Sequence, residues 1–263
     1  VVALLYVLLL VGLVGGGVVF STLLTDFSGT QLIQIVQAVA VLTIVLNLIA
    51  SWKQEARDPD RRHRLAAHPP PAFSVLWSRF IERPSARRFL WTVGLGTAAF
   101  NMQEIVLEPY GGEILKLSVA QTSSLTALLA GGSLAAFALA ARLLARGQDP
   151  MRVAALGVLV GLPGFSAVLF AAPADSALIF RMGTVLIGVG AGLFAVSTLT
   201  AAMTMESREH AGFALGAWGA VQATAAGLSV GLGGALRDGV SSAAGSGALG
   251  SVLQHPATGY GVV

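Results

Sequence analysis

Apolar residues occur along this chain in blocks too long for strands and too continuous for the one-sided helices of a water-soluble domain. Seven blocks can be drawn, at about Val1–Leu24, Gln31–Ser51, Phe89–Tyr110, Ser118–Arg146, Met151–Ala171, Ser176–Met205 and Ala211–Leu236. A hydrocarbon core about 30 Å thick takes roughly 20 helical residues to cross, and each block supplies that length. Several blocks open on helix-start signals. Ser118-Val119-Ala120-Gln121 has the spacing of a capping box. Asp149-Pro150 puts an acceptor at the cap and a proline in the first turn. Pro163-Gly164 predicts a bend in the fifth block. The pattern predicts an all-α, polytopic membrane helical bundle with about seven spans.

Charge gives the bundle two faces. Of the 16 Lys and Arg residues, 13 fall in every second connection. Nine are in the segment 52–88, three around Asp149-Pro150 and one in the turn after Met205, whereas the alternate connections hold only Lys116, Arg181 and Arg237. Basic loops stay on the cytoplasmic side of an inner membrane, so the reading places 52–88 in the cytoplasm. Composition agrees: 55% of residues are hydrophobic and 11% charged, against roughly 25% charged in an ordinary globular domain. The net charge of +3 follows this topology and forms no single basic face, which excludes a nucleic-acid partner. With no cysteine there is no disulfide frame and no thiol chemistry.

A long cytoplasmic segment between blocks of spans resembles the plan of twelve-helix, major-facilitator-like transporters built from two halves. On that plan 1–51 is the last two spans of the N-terminal half. Residues 52–88 are the central cytoplasmic segment, and 89–263 are the C-terminal half with its last span incomplete. The chain then reads as part of a longer protein, and its apolar opening, without a basic n-region, as a span rather than a signal peptide. Within 52–88, His68-Pro69-Pro70-Pro71 predicts a stiff linker. Phe73, Leu76, Trp77, Phe80 and Ile81 follow at helical spacing on one face. They predict an amphipathic helix that lies on the cytoplasmic leaflet or caps the bundle end.

The candidate chemistry is concentrated in the third block. Asn101, Gln103, Glu104 and Glu108 interrupt its apolar run, with Glu104 and Glu108 four apart on one face. A carboxylate in hydrocarbon is costly unless it faces the interior, takes a proton or finds a partner. Three roles stay open: a titrating group in a proton-coupled transporter, an oxygen donor to a pigment magnesium, or a structural pair near the far face. Gln222 lies mid-span in the seventh block and is expected to point inward. Trp218, between Gly216 and Gly219, is either a platform for a flat ligand or a core aromatic. Arg181 is expected to snorkel or to pair with Asp175 or a third-block glutamate. Gly157/Gly161, Gly188/Gly192, Gly212/Gly216 and Gly227/Gly231 are four-residue small pairs, read first as close helix packing. His63, His68, His210 and His255 all lie in connections, which argues against a metal centre, and the expected metal and catalytic residue sets are empty.

Met102-Gln103-Glu104-Ile105-Val106-Leu107-Glu108-Pro109-Tyr110-Gly111-Gly112 resembles a span signature of the PucC/LhaA-type bacteriochlorophyll delivery family. So do Ser118-Val119-Ala120-Gln121-Thr122, Arg146-Gly147-Gln148-Asp149-Pro150, Gly192-Leu193-Phe194-Ala195-Val196 and, most specifically, Gly216-Ala217-Trp218-Gly219-Ala220-Val221-Gln222-Ala223-Thr224-Ala225-Ala226-Gly227. The likeness covers about Phe73 to Asp238. It implies a major-facilitator-like fold in the intracytoplasmic photosynthetic membrane of a purple or related bacterium. It further implies a non-enzymatic factor in light-harvesting complex assembly, with bacteriochlorophyll as cargo. The implied partners are light-harvesting polypeptides, the reaction centre complex and the bacteriochlorophyll synthase. The competing expectations are a proton-coupled secondary transporter of another amphipathic solute and a structural subunit of a photosynthetic complex.

Overall fold

The structure, a computed structural model, describes residues 29–52, 72–205, 211–247, 250 and 257–263, with single positions 8, 11, 12, 15 and 19 before them. The first apolar block, most of the 52–88 segment and the turn at 206–210 lie outside the described residues. The elements are α1 (Gly29–Ser51), α2 (Phe73–Glu82), α3 (Pro84–Asn101), α4 (Glu104–Glu113), α5 (Val119–Ala145), α6 (Pro150–Ala171), α7 (Ala177–Thr204), α8 (Ala211–Gly245) and α9 (Thr258–Gly261). No strand occurs among the described residues.

The caps explain where these helices start. The Ser118 and Gln121 side chains exchange hydrogen bonds with each other's backbone N–H, at 3.4 and 3.0 Å, closing the expected capping box of α5. Asp149 Oδ1 accepts from the N–H groups of Met151 and Arg152 at 2.7 and 3.2 Å, with Pro150 in the first turn of α6. Ser176 Oγ accepts from Ile179 N at 3.3 Å at the head of α7. Each cap satisfies donors that a helix N-terminus otherwise leaves orphaned.

The chain divides into two compact units, residues 11–81 and residues 1–10 with 82–263. In the smaller unit, the window Ile33–Ser51 of α1 has a mean hydropathy of 2.2 and none of it is buried. A helix this apolar, left uncovered by the described residues, suits lipid as its solvent. Helix α2 carries the amphipathic stripe: Phe80 is buried, Leu76, Trp77 and Ile81 are half-buried, and Phe73 is exposed. The stripe is therefore packed at its C-terminal end and open at its start.

In the larger unit α7 is the central helix, packed along α6 on one side and α5 on another, while α3 pairs with α8. Glycines set the closeness. A Cβ on Gly157 would stand 2.7 Å from the Gly190 carbonyl oxygen, and one on Gly183 2.8 Å from that of Gly164, so α6 and α7 touch backbone to backbone. Gly188 and Gly192 meet the α5 backbone in the same way. In lipid, where burying another leucine gains little, such dispersion contact is what holds helices together. The pairs Gly212/Gly216 and Gly227/Gly231 differ: among the described residues a Cβ there would meet nothing within 4 Å.

Five helices among the described residues are long and apolar enough to cross a membrane: α1, α5 from Ser124, α6, α7 and α8 from Gly212. Two expectations change in detail. The third block is not one helix over Phe89–Tyr110 but two, α3 and α4, which meet at Met102-Gln103. The seventh continues to Gly245, because Arg237 and Asp238, read as its end, lie within the helix. The fifth is helical from Pro150 to Ala171, with Pro163 inside it.

Candidate functional site

The break at Met102-Gln103 begins with side chains that compete for backbone groups. Asn101 Nδ2 donates to the Thr97 carbonyl at 2.7 Å, and Gln103 Nε2 donates to the Phe100 carbonyl at 3.2 Å. Short amides that bond back to the chain loosen the helical ladder. The next turn restarts from Gln103, whose carbonyl accepts from both Val106 N and Leu107 N at 3.1 and 3.0 Å. Pro109, inside α4, supplies no N–H of its own. The break is held from outside by α8, where Gly233 would place a Cβ 2.7 Å from the Met102 carbonyl oxygen.

Helix α4 has two opposite faces. Val106, Leu107, Tyr110 and Gly111 are buried, and Tyr110 packs its ring 5.5 Å from that of Phe180. Glu104, Ile105, Glu108 and Pro109 are exposed. Glu108 Oε1 accepts from Thr126 Oγ1 of α5 at 2.8 Å, which ties one carboxylate to the neighbouring helix. Glu104 has no hydrogen bond or ion pair among the described residues. Asn101, at the end of α3, is half-buried. Gln103 points the other way and is buried. With Nε2 committed to Phe100, its Oε1 has no hydrogen-bond partner, an arrangement that costs about 1–3 kcal/mol unless something donates to it. Carboxylate and carboxamide oxygens are hard donors that suit magnesium. Among the described residues, no three His, Cys, Asp or Glu side chains converge as a metal site.

The other candidates lie elsewhere. Trp218 is buried in a cluster with Phe89, Val93, Ala201 and Ala202, and its Nε1 donates to Thr198 Oγ1 at 3.2 Å. It is a core aromatic, and the flat-ligand platform is not what surrounds it. Gln222, half-buried rather than fully inward, has no hydrogen-bond partner among the described residues. Arg181 forms no ion pair there, with Asp175 or with a glutamate of α4, and its Nε is buried without a partner. Gln121 is used in the α5 cap, as its spacing from Ser118 predicts.

Two features escape the sequence reading. The first is a clasp at the end of α4. Arg237 Nη2 of α8 donates to Glu113 Oε2 at 3.2 Å and also to the Tyr260 hydroxyl. Tyr260 in turn donates to Glu113 Oε2 at 2.5 Å, and the Arg237 guanidinium lies 4.6 Å from its ring centre. Burial, with Glu113 holding the proton of its hydroxyl, raises the Tyr260 phenol above its ordinary value, and Arg237 opposes this. Lone opposite charges at the ends of two apolar blocks were the available signal. The second is Gly227-Leu228-Ser229-Val230-Gly231, which spells the nucleophile-elbow pattern of hydrolases. It lies inside α8 rather than on a strand–helix turn. Ser229 is buried and donates to the Ala226 carbonyl at 2.9 Å.

The comparisons with known proteins place the chain. The family model described as PUCC protein matches residues 1–263. The chain belongs to the PUCC protein family. It is 50% identical over 241 residues to "Protein PucC" of Rhodovulum sulfidophilum, which covers 91% of this chain and 53% of that protein. It is 48% identical over 263 residues to the "Uncharacterized protein in puhA-bchM intergenic region" of Rhodobacter capsulatus, covering 100% of this chain and 55% of that one. A more distant relative is the "Bacteriochlorophyll synthase 44.5 kDa chain" of Rhodobacter capsulatus, 30% identical over 219 residues, or 78% of this chain and 48% of the relative. The chain spans about half the length of these relatives. No solved structure gives a significant match.

Proposed function

We propose that this chain is the pigment-handling part of a photosynthetic assembly factor, a non-catalytic membrane protein that binds bacteriochlorophyll and passes it to antenna polypeptides. The observation that carries the reading is the exposed acidic face of α4. Two carboxylates, one unpartnered, project from a helix set among membrane-spanning neighbours. Ionisable side chains set among membrane-spanning helices are costly and mark a candidate functional site. Oxygen donors there suit the magnesium at the centre of a chlorin, and the flanking Ile105 and Pro109 present an apolar surface to the ring.

Family membership supports the same reading, as do relatives whose names mention PucC and bacteriochlorophyll synthase. On this view the partners are light-harvesting polypeptides, the reaction centre complex and the bacteriochlorophyll synthase. The site of action is the intracytoplasmic membrane, with 52–88 on its cytoplasmic side and the spans arranged on a two-half, major-facilitator-like plan.

The test is Glu104→Gln in the native host, with light-harvesting complex yield, co-purified pigment and membrane insertion measured together. The expected outcome is normal insertion with several-fold less complex and bound pigment. Unchanged complex yield removes Glu104 from the site. Proton-driven solute uptake by purified protein free of pigment would favour the transporter reading instead. Recovery at fixed stoichiometry with mature complexes, without pigment of its own, would favour a structural subunit.

A further inference from the structure

Helices α4 and α5 meet along a short antiparallel seam. A Cβ on Gly111 would stand 3.5 Å from Leu125 Cδ1, and one on Gly112 3.9 Å from Thr122 Cγ2. One turn back along α4 and one turn on along α5, Glu108 and Thr126 fall opposite each other, and Thr126 Oγ1 donates to Glu108 Oε1 at 2.8 Å. Continued by a further turn, this register sets Glu104 level with Ala130, whose methyl group has no hydrogen to donate.

The bond departs from what threonines do elsewhere in this bundle. A helical threonine commonly returns its hydroxyl to the carbonyl four residues earlier. Thr92, Thr184, Thr198, Thr200 and Thr204 all do so, at 2.8–3.2 Å. Thr126 gives its hydrogen across the seam instead, to a carboxylate, which accepts more strongly than a neutral carbonyl. The result is a glutamate with Oε1 held and Oε2 unengaged by any described residue. Proteins present a single oxygen to a metal in this way: one oxygen ligates, and a hydrogen bond behind the carboxylate fixes its angle. Magnesium takes oxygen ligands and only one or two protein carboxylates. A free glutamate loses its rotamer freedom when it ligates. Glu108 has lost part of that freedom already on folding, whereas Glu104 keeps it.

We propose that Glu108 is the carboxylate that meets the chlorin magnesium, through Oε2, and that Thr126 is its positioning residue. The inference rests on the pigment-handling reading and names which of the two α4 carboxylates is pre-oriented for it.

The test uses the full-length protein in nanodiscs, with bacteriochlorophyllide a and its metal-free counterpart bacteriopheophorbide a as probes. The quantity read is the ratio of their two dissociation constants, together with the visible-band shift that axial ligation of the magnesium produces. A loosened α4–α5 seam would weaken both pigments alike and leave the ratio alone, because they share one ring. Wild-type protein is expected to bind the magnesium pigment at least tenfold tighter than the metal-free one. Thr126→Val, which keeps the shape and removes the donor, should lose about tenfold of that preference, the usual effect of deleting a group behind a metal ligand. Thr126→Ser should restore it. Glu108→Gln should abolish the preference and the band shift, and adding Thr126→Val to it should change nothing more. A wild-type preference that Thr126→Val retains, or an equal loss for both pigments in that variant, overturns this inference and leaves the pigment-handling reading standing. Wild-type protein that binds neither pigment overturns both.

Discussion

A glycine four residues from another glycine has two different meanings in this molecule. A methyl group on Gly157 would stand 2.7 Å from the Gly190 carbonyl oxygen and 2.9 Å from Phe194 N, and backbone cannot step aside as a side chain can. Gly157→Ala should therefore force α6 and α7 apart and cost ~1–3 kcal/mol, the usual penalty of overpacking. Gly216→Ala meets nothing within 4 Å, and should gain up to ~1 kcal/mol from helix propensity. SDS-induced unfolding in detergent micelles would compare the two. Opposite signs are expected, and equal shifts would mean that the α6–α7 contact is not tight. Sequence spacing marked both positions alike. What separates them is whether a neighbour's backbone lies across the face, which is a property of the packed bundle and not of the motif.

At the scale of the element, start signals were legible because they are local. Ser118 with Gln121, Asp149 with Pro150, and Ser176 each satisfy donors within three residues, so the sequence already contains both partners of each bond. The clasp is the opposite case. Glu113, Arg237 and Tyr260 are separated by 124 and 23 residues, and nothing in the one-dimensional pattern pairs them. The broken third block lies between these cases: Asn101 and Gln103 were singled out as polar, but their use against the backbone of Thr97 and Phe100 was not. The clasp is testable by itself. Tyr260→Phe removes the donor to Glu113, and faster amide exchange in residues 258–261 is expected, with the rest of the bundle unchanged. The raised phenol pKa gives the sign of the pH effect. The folded state favours the protonated hydroxyl, so the clasp's contribution is complete at and below the ordinary phenol value of about 10 and is lost as pH rises through the higher folded value. An ultraviolet difference titration of the protein against Tyr260→Phe should place the Tyr260 transition above that of free tyrosine.

For the molecule as a whole, the solvent is the main inference, and it was readable from the sequence with little ambiguity. The uncovered apolar surface of α1 and the outward leucines of α6 and α8 agree with the blocks counted there. The sorting of arginines adds direction, which the packing alone does not carry. Single cysteines at Pro70 and at Lys116 should label from opposite sides of intact membrane preparations, with Pro70 reached only from the cytoplasm. Labelling of Pro70 from the periplasm would reverse the bundle. The split of the third block was less visible because the average apolarity of 84–113 hides an interruption only two residues long.

The nearness of Gly233 to the Met102 carbonyl has a mechanical consequence. A methyl group on Gly233 would stand 2.7 Å from that oxygen, so a side chain there forces either α8 or the junction to shift. Arg237 follows Gly233 by one turn and reaches Glu113 at 3.2 Å, so a displaced α8 would carry the strain on to that ion pair.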